Sequence, residues 1–287
     1  MQIERARSIA EAHREEMTAE ALALAFDAGA HLGKRAVINA LSLTRSSIGD
    51  PLEKIGLEDA AGVRSAYSVE QALALLDDEA DYRYLWAIPQ SERRNHKSRW
   101  LTVATVDNTT ANNGTLFFAV PRDVTQEFAP HVTLLKYLAR AGMAPQYGFG
   151  YARAYGCPNY FAVGYAYTHG KRTLDRSEWI RRAASSSERA DGRLLLEVFP
   201  LNVLTDIHLQ RRIGTQSLEE WILENTGPAS LMSIEPRCFA WFVPPARTFS
   251  TAVQLRRSGQ LMMAGPQHAT TGTESSIPSP SRTAWMR

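Results

Sequence analysis

A chain of 287 residues, 44% of them hydrophobic, suits one large domain or a medium domain with an appendage, and can bury a core. Its charged residues make up 22% and leave a net charge of +2, which excludes a strongly basic nucleic-acid binder and an acidic tail. Its two cysteines, Cys157 and Cys238, exclude a disulfide framework and lack the CxxC spacing of a structural zinc site, while a single bridge between them stays open.

The first residues, MQIERARSIAEAHREE, are charged and contain no continuous apolar run, so no secretory signal is expected. No window approaches the ~18 consecutive apolar residues of a membrane span. A cytoplasmic protein of bacterial type is the resulting expectation.

Residues 1–45 lack proline and are rich in Ala, Glu, Arg and Leu. Ile3, Ala6, Ala10, Met17, Ala21, Leu24 and Ala28 recur at roughly helical spacing, interrupted at Gly29 and Gly33. This predicts two helices, or one broken helix. Residues 46–66, with Ser, Gly and Pro51, read as a linker. Ser68 and Gln71 then have the spacing of a capping box, opening a short helix that carries Leu73, Leu75 and Leu76.

From Tyr82 the pattern changes to short apolar strands closed by proline: 84–89, 116–121, 194–200 and 238–244. Proline donates no ladder hydrogen bond, so it fits where strands leave a sheet, and four such exits predict strands ending along common rims. Residues 100–106 are a further strand. The polar turn DNTTANNG (107–114) predicts that it pairs with the strand at Leu116. Asp123 and Gln126 form a looser capping pair. Phe128, Val132, Leu135 and Leu138 mark one face of the next helix, with Pro130 in its first turn and Gly142 at its end.

The most patterned stretch is QYGFGYARAYGCPNYFAVGYAYTH, residues 146–169. Tyr147, Phe149, Tyr151, Arg153 and Tyr155 share one parity, and Gly148, Gly150, Ala152 and Ala154 the other. After the turn residues Gly156-Cys157-Pro158-Asn159, Phe161, Val163, Tyr165 and Tyr167 alternate in the same way. A period of two predicts a β-hairpin with one aromatic face and one bare face, which another element can approach closely.

A helix around Trp179, a strand to Pro200, a short helix to Leu209, a capping box at Ser217/Glu220 opening a helix with Trp221, the strand at Cys238 and a last helix from about Ala246 to Ser258 complete the order. Strand, helix, strand, strand, helix, strand from Leu116 to Pro200 is the order of a ferredoxin-like, two-layer α+β sandwich. The organisation expected is a helical N-terminal segment (1–80), an α+β sheet domain (82–262) with a C-terminal βα extension, and a tail (263–287) rich in Gly, Pro, Ser and Thr. A faint echo links FFAVP and its helix to WFVPP and its helix.

The sequence contains no GxSxG, GxxxxGK[ST], HExxH or helix-opening GxGxxG, and it implies no cofactor and no metal site. The best enzymatic constellation is Glu197, Asn202, Asp206 and His208, at and beyond a strand end, with His208 as base and a carboxylate to orient it. Asp206 and His208 lie two apart, however, so a helix points them to different sides. Asn202 and Thr205 read more simply as turn and cap residues. His131, His169 and Cys157 have no partner at ligand spacing. The aromatic parity (Tyr147, Phe149, Tyr151, Arg153, Tyr165, Tyr167) is the candidate binding surface, for a protein partner or, as an alternative, for single-stranded nucleic acid. With few cations nearby nucleic acid is disfavoured, and in a two-layer sandwich, where helices cover one sheet face, this parity reads first as the core face and second as a partner surface.

Between Leu196 and Ile222 the chain reads VFPLNVLT, a short helix, Arg212-Ile213-Gly214-Thr215, then Leu218-Glu219-Glu220-Trp221-Ile222, preceded upstream by YGFGY. Over residues 142–222 this resembles bacterial immunity proteins that neutralise toxins delivered by type VI secretion. The resemblance implies a non-catalytic protein that binds one partner, and it transfers no active-site residue. The competing class is an enzyme at the Glu197/Asn202/His208 corner.

Overall fold

The stretch MTAEALALA decides the architecture, and it is a strand (β1, Met17–Ala25) where helical spacing predicts a helix. Ala21, Ala23 and Ala25 lie in one apolar cluster, Leu22 and Leu24 in another, and all five are buried. That is a period of two with both faces apolar, the pattern of a central strand. Helix preference differs by well under ~1 kcal/mol per ordinary residue. Burying one leucine contributes about 1.5–3 kcal/mol, so the tertiary setting overrides composition.

The computed structural model describes residues 17–26, 32–59, 62, 64–75, 82–90, 104–107, 114–121, 128–154 and 198–257. After β1 come α1 (Lys34–Ser47), β2 (Leu52–Asp59), β3 (Arg64–Ser68), α2 (Val69–Leu75), β4 (Tyr82–Pro89), β5 (Ala104–Asp107), β6 (Thr115–Pro121), α3 (Ala129–Arg140) and β7 (Tyr147–Ala154). Then follow β8 (Leu201–Leu204), α4 (Asp206–Leu209), the two-residue strands β9 (Arg212–Ile213) and β10 (Gln216–Ser217), α5 (Leu218–Thr226), β11 (Leu231–Glu235), β12 (Cys238–Phe242) and α6 (Pro245–Arg257). The fold is α+β, as expected.

Ten strands form one sheet in the order β11-β12-β8-β7-β1-β6-β5-β4-β2-β3, every neighbouring pair antiparallel. The expected linker at 46–66 supplies β2 and the start of β3, and the expected helical segment supplies β1 at the sheet's centre. Residues on both sides of position 81 therefore belong to one sheet. The β5–β6 hairpin forms as expected, with Val106 opposite Leu116.

Because β6 and β7 both run antiparallel to β1, which separates them, β6–α3–β7 is a split β-α-β unit, the portion of the ferredoxin-like order that falls on described residues. β7 has β1 on one side and β8 on the other. The second hairpin strand and the helix around Trp179 lie outside the described residues. β4, β6 and β12 run in the same direction, so their closing prolines Pro89, Pro121 and Pro244 fall at one rim. The third proline-closed segment differs: residues 198–200 are not strand, and β8 begins after Pro200.

Both faces of the sheet are covered from β12 to β6. One carries α1, α2 and α3 over Leu22, Leu24, Phe118, Val120 and Leu201. The other carries α4, α5 and α6 over Phe149, Leu204 and Trp241. The second helical cover makes the β7–β12 half a three-layer structure rather than the two layers expected. The two βα units that echo each other in sequence send their helices to opposite faces, so the echo is not a structural repeat.

Local chemistry sets the helix ends. The Ser68/Gln71 box forms reciprocally at 3.0 and 3.1 Å, and the Ser217/Glu220 box at 2.6 and 3.1 Å. α3 has Pro130 in its first turn and ends at Gly142, with φ 78°. Its N-cap, Phe128, is in the left-handed region, and its N–H donates to the Glu20 carboxylate of β1 at 3.1 Å.

Candidate functional site

The strand-end corner is built by the passage from β8 into α4. Asn202 is 0% exposed. Its Oδ1 accepts from the Phe199 N–H at 3.0 Å, and its Nδ2 donates to the carbonyls of Phe199 (2.8 Å) and Trp241 (3.3 Å). It ties the approach to β8 onto the neighbouring strand β12.

His208 stands at the third position of α4, where a capping box ordinarily has Glu or Gln. Its Nδ1 accepts from the Thr205 N–H at 3.1 Å and lies 2.8 Å from Thr205 Oγ1. Accepting there leaves the proton on Nε2, which is buried without a hydrogen-bond partner among the described residues. The ring packs 5.9 Å from that of Tyr147. Burial pushes the imidazole pKa down to about 4, helped by the charge of Arg211 and opposed by Asp206. Asp206 faces the other way and pairs with Arg237 at 3.2 Å on the surface. Asn202, Asp206 and His208 thus have separate partners and do not converge. Glu197 lies outside the described residues.

The aromatic parity of β7 is a core face at its start. Tyr147 and Phe149 are each 2% exposed, and Phe149 stacks on Phe199 with centroids 4.2 Å apart. At these two residues the core reading of the parity holds and the binding-surface reading does not, because the second helical layer covers them. Tyr151 and Arg153 belong to β7, while Tyr165 and Tyr167, like His169 and Cys157, lie outside the described residues. The bare parity admits close neighbours, as its pattern predicts. A Cβ on Gly150 would meet the Phe128 ring at 2.8 Å and Leu201 Cβ at 3.0 Å.

Three further titratable groups are sealed in the core. His131 donates from Nε2 to the Glu20 carbonyl at 3.1 Å, between the rings of Phe118 and Phe128. Burial drives its pKa down to about 3, against the hydrogen bond to Glu20 and with the help of the Arg45 charge. Arg45, fully buried on α1, donates to the Ala119 carbonyl of β6 and pairs with Asp50 at 3.1 Å. Cys238 is a free thiol whose pKa burial pushes up to about 12, with Glu235 adding to the shift. Neither His131 nor Arg45 is legible as core from its residue type alone, whereas a buried cysteine is ordinary.

On the opposite surface, α1 and α3 pack side by side and leave a groove of about 410 Å³. Alanines 36, 40 and 141 line it, together with Leu43, Tyr137 and Arg35. No helix among the described residues is long and apolar enough to cross a membrane.

No family model matches the chain, and no curated protein matches it. Among solved structures it is similar to the Pseudomonas aeruginosa T6SS protein PA0821, with a TM-score of 0.52 and 13% identity over 85% of this chain and 74% of that one. At this identity the likeness is one of fold.

Proposed function

We propose that this chain is a non-enzymatic, protein-binding protein of immunity type, which neutralises one toxin delivered by type VI secretion by binding to it. The observation that carries this reading is the likeness of fold, across 85% of the chain, to the T6SS protein PA0821. The sequence resemblance over residues 142–222 points the same way. The competing enzymatic corner draws no support from its geometry: the amide of Asn202 and Nδ1 of His208 meet the chain's own backbone, and Asp206 pairs with Arg237 instead of orienting the imidazole.

The test is genetic and biochemical together. A gene adjacent to the one encoding this chain should encode a toxin that halts growth when expressed alone. Co-expression of the present chain should restore growth, and the two proteins should co-purify as a stoichiometric complex. A toxin-encoding neighbour that neither binds this chain nor is neutralised by it refutes the proposal.

A further inference from the structure

Between the end of β8 and the start of α5 the chain makes a short excursion, residues 205–217, that holds α4, β9 and β10. β9 and β10 form a two-stranded sheet of their own, apart from the ten-stranded one. Only His208, Leu209 and Ile213 of this strap are buried. Leu209 and Ile213 join the apolar cluster that contains Tyr147 and Phe149, and the His208 ring lies 5.9 Å from that of Tyr147. An element with so little buried surface and no place in the main sheet opens at lower cost than the sheet beneath it.

Each end of the strap is closed by a capping box, and the two boxes differ in chemistry. At the far end the exposed Glu220 carboxylate accepts from the Ser217 N–H, and that bond holds its carboxyl below the ordinary range. Glu220 therefore stays an acceptor between pH 7 and 5. At the near end the acceptor is Nδ1 of His208, which takes the Thr205 N–H at 3.1 Å. With the ring's one proton on Nε2, a second proton has only Nδ1 to go to. Protonated, Nδ1 still reaches Thr205 Oγ1, 2.8 Å away, as a donor, but it no longer accepts the Thr205 N–H.

The new charge would also be enclosed among apolar groups. Of the charges around the ring, Arg211 opposes it, and Asp206, which favours it, is drawn outward to Arg237 of the β11–β12 turn. β7 presents the ring of Tyr147 and α6 the side chains of Ala252 and Leu255. α5 turns Leu218, Trp221 and Ile222 inward and leaves Glu219, Glu220 and Glu224 exposed.

We propose that residues 205–217 are an acid-released strap: the Thr205–His208 cap latches it over the Tyr147 end of β7 at neutral pH, and protonation of the imidazole frees it while the main sheet stays folded. The device belongs to this chain alone and stands whether or not the immunity function proposed above does. Closed, the strap keeps the ring neutral down to about pH 4; open, the ring ionises at its ordinary value of 6.5. Opening is therefore favoured progressively as the pH falls below 6.5, and its equilibrium constant should rise about twentyfold between pH 7 and 5.

Hydrogen exchange read by mass spectrometry, corrected for the pH dependence of the intrinsic rate, tests it. In the wild-type chain the amides of α4 and β9 should show that rise of about twentyfold, and should open far more readily than those of β1. His208→Gln puts at the third helical position a residue that serves in capping boxes and does not titrate. Its strap amides should change by less than about threefold over the same interval. Glu220→Gln, at the other box, should keep the wild-type response. A His208→Gln strap that responds to pH as the wild type does overturns the proposal. So do wild-type strap amides that exchange only together with those of β1, a result that requires no variant to fold.

Discussion

Gly148 tests whether the bare parity of β7 is a packing requirement. A Cβ at this position would sit 2.5 Å from Leu24 Cδ2, 2.8 Å from the Ala23 carbonyl oxygen and 3.3 Å from Val203 Cβ. The leucine tip is the softest of the three, but Leu24 is itself fully buried and has little room to turn. The carbonyl is backbone of the central strand. Gly148 is held in register on both sides, opposite Leu24 of β1 and Val203 of β8, so it cannot retreat. Overpacking of this kind costs about 1–3 kcal/mol. Removing a glycine's freedom from the unfolded chain returns about 0.4–1 kcal/mol. Gly148→Ala should therefore destabilise by roughly 1–2 kcal/mol, seen as a lower urea midpoint at unchanged slope. Gly33→Ser is the matched control. Gly33 has φ −54° and no atom within 4 Å of a built Cβ, so serine can cap α1 without strain. It should be neutral or stabilising by up to ~1 kcal/mol. A Gly148→Ala midpoint equal to wild type would refute the account of the bare face.

Three other outcomes follow from the buried polar groups. Asn202→Leu leaves the Phe199 N–H and the Phe199 and Trp241 carbonyls unmatched in the core and should cost about 3–5 kcal/mol in chemical denaturation, whereas a residue held only for chemistry would leave stability nearly intact. His131 and His208 take up a proton near pH 6.5 when unfolded but only at about 3 and about 4 when folded, so their contribution is full above pH 6.5 and is lost as the pH falls. Between pH 7 and 5 the pair should remove about 3–4 kcal/mol of stability, and His131→Gln should shallow that slope by about half even though it lowers the plateau. In a Cys157→Ser background, Cys238 should react with a thiol reagent only at the rate of unfolding; fast labelling of the native protein would contradict its burial.

What was legible in the sequence is what depends on a few adjacent residues. The two capping boxes, Pro130 in a first turn, three of the four exit prolines and the alternation of β7 each express a rule of two to four positions, and each is found where the pattern predicts it; Pro200, which precedes β8, is the exception. β1 and β2 express no such rule. β1 finds its partners about a hundred residues away, with Ala21 opposite Ala119 and Tyr151, and its alanine-rich composition favours the helix that it does not form. At the strand-end corner Asn202 was readable as a turn residue. His208 was not readable as a cap, because a histidine at the third helical position stands outside the usual Glu/Gln pattern. The spacing Thr205–His208 was the available signal.

The composition that disguised β1 has a reason in the rows that cross the sheet. On one face Ala23 lies between Phe149 of β7 and Phe117 of β6; on the other Leu22 lies between Gly150 and Phe118. Each large side chain of these rows has a small neighbour beside it, so the layers interdigitate at core density. The alanines of β1 are thus the counterpart of the aromatic parity of β7, and the glycines of β7 are the counterpart of the leucines of β1. Two strands whose sequences suggest opposite things, a helix and a binding platform, are a matched pair. Because both faces are filled in this way, and Tyr147 and Phe149 lie beneath α4, α5 and α6, a partner of this half of the sheet meets the outer surfaces of the helices rather than the strands.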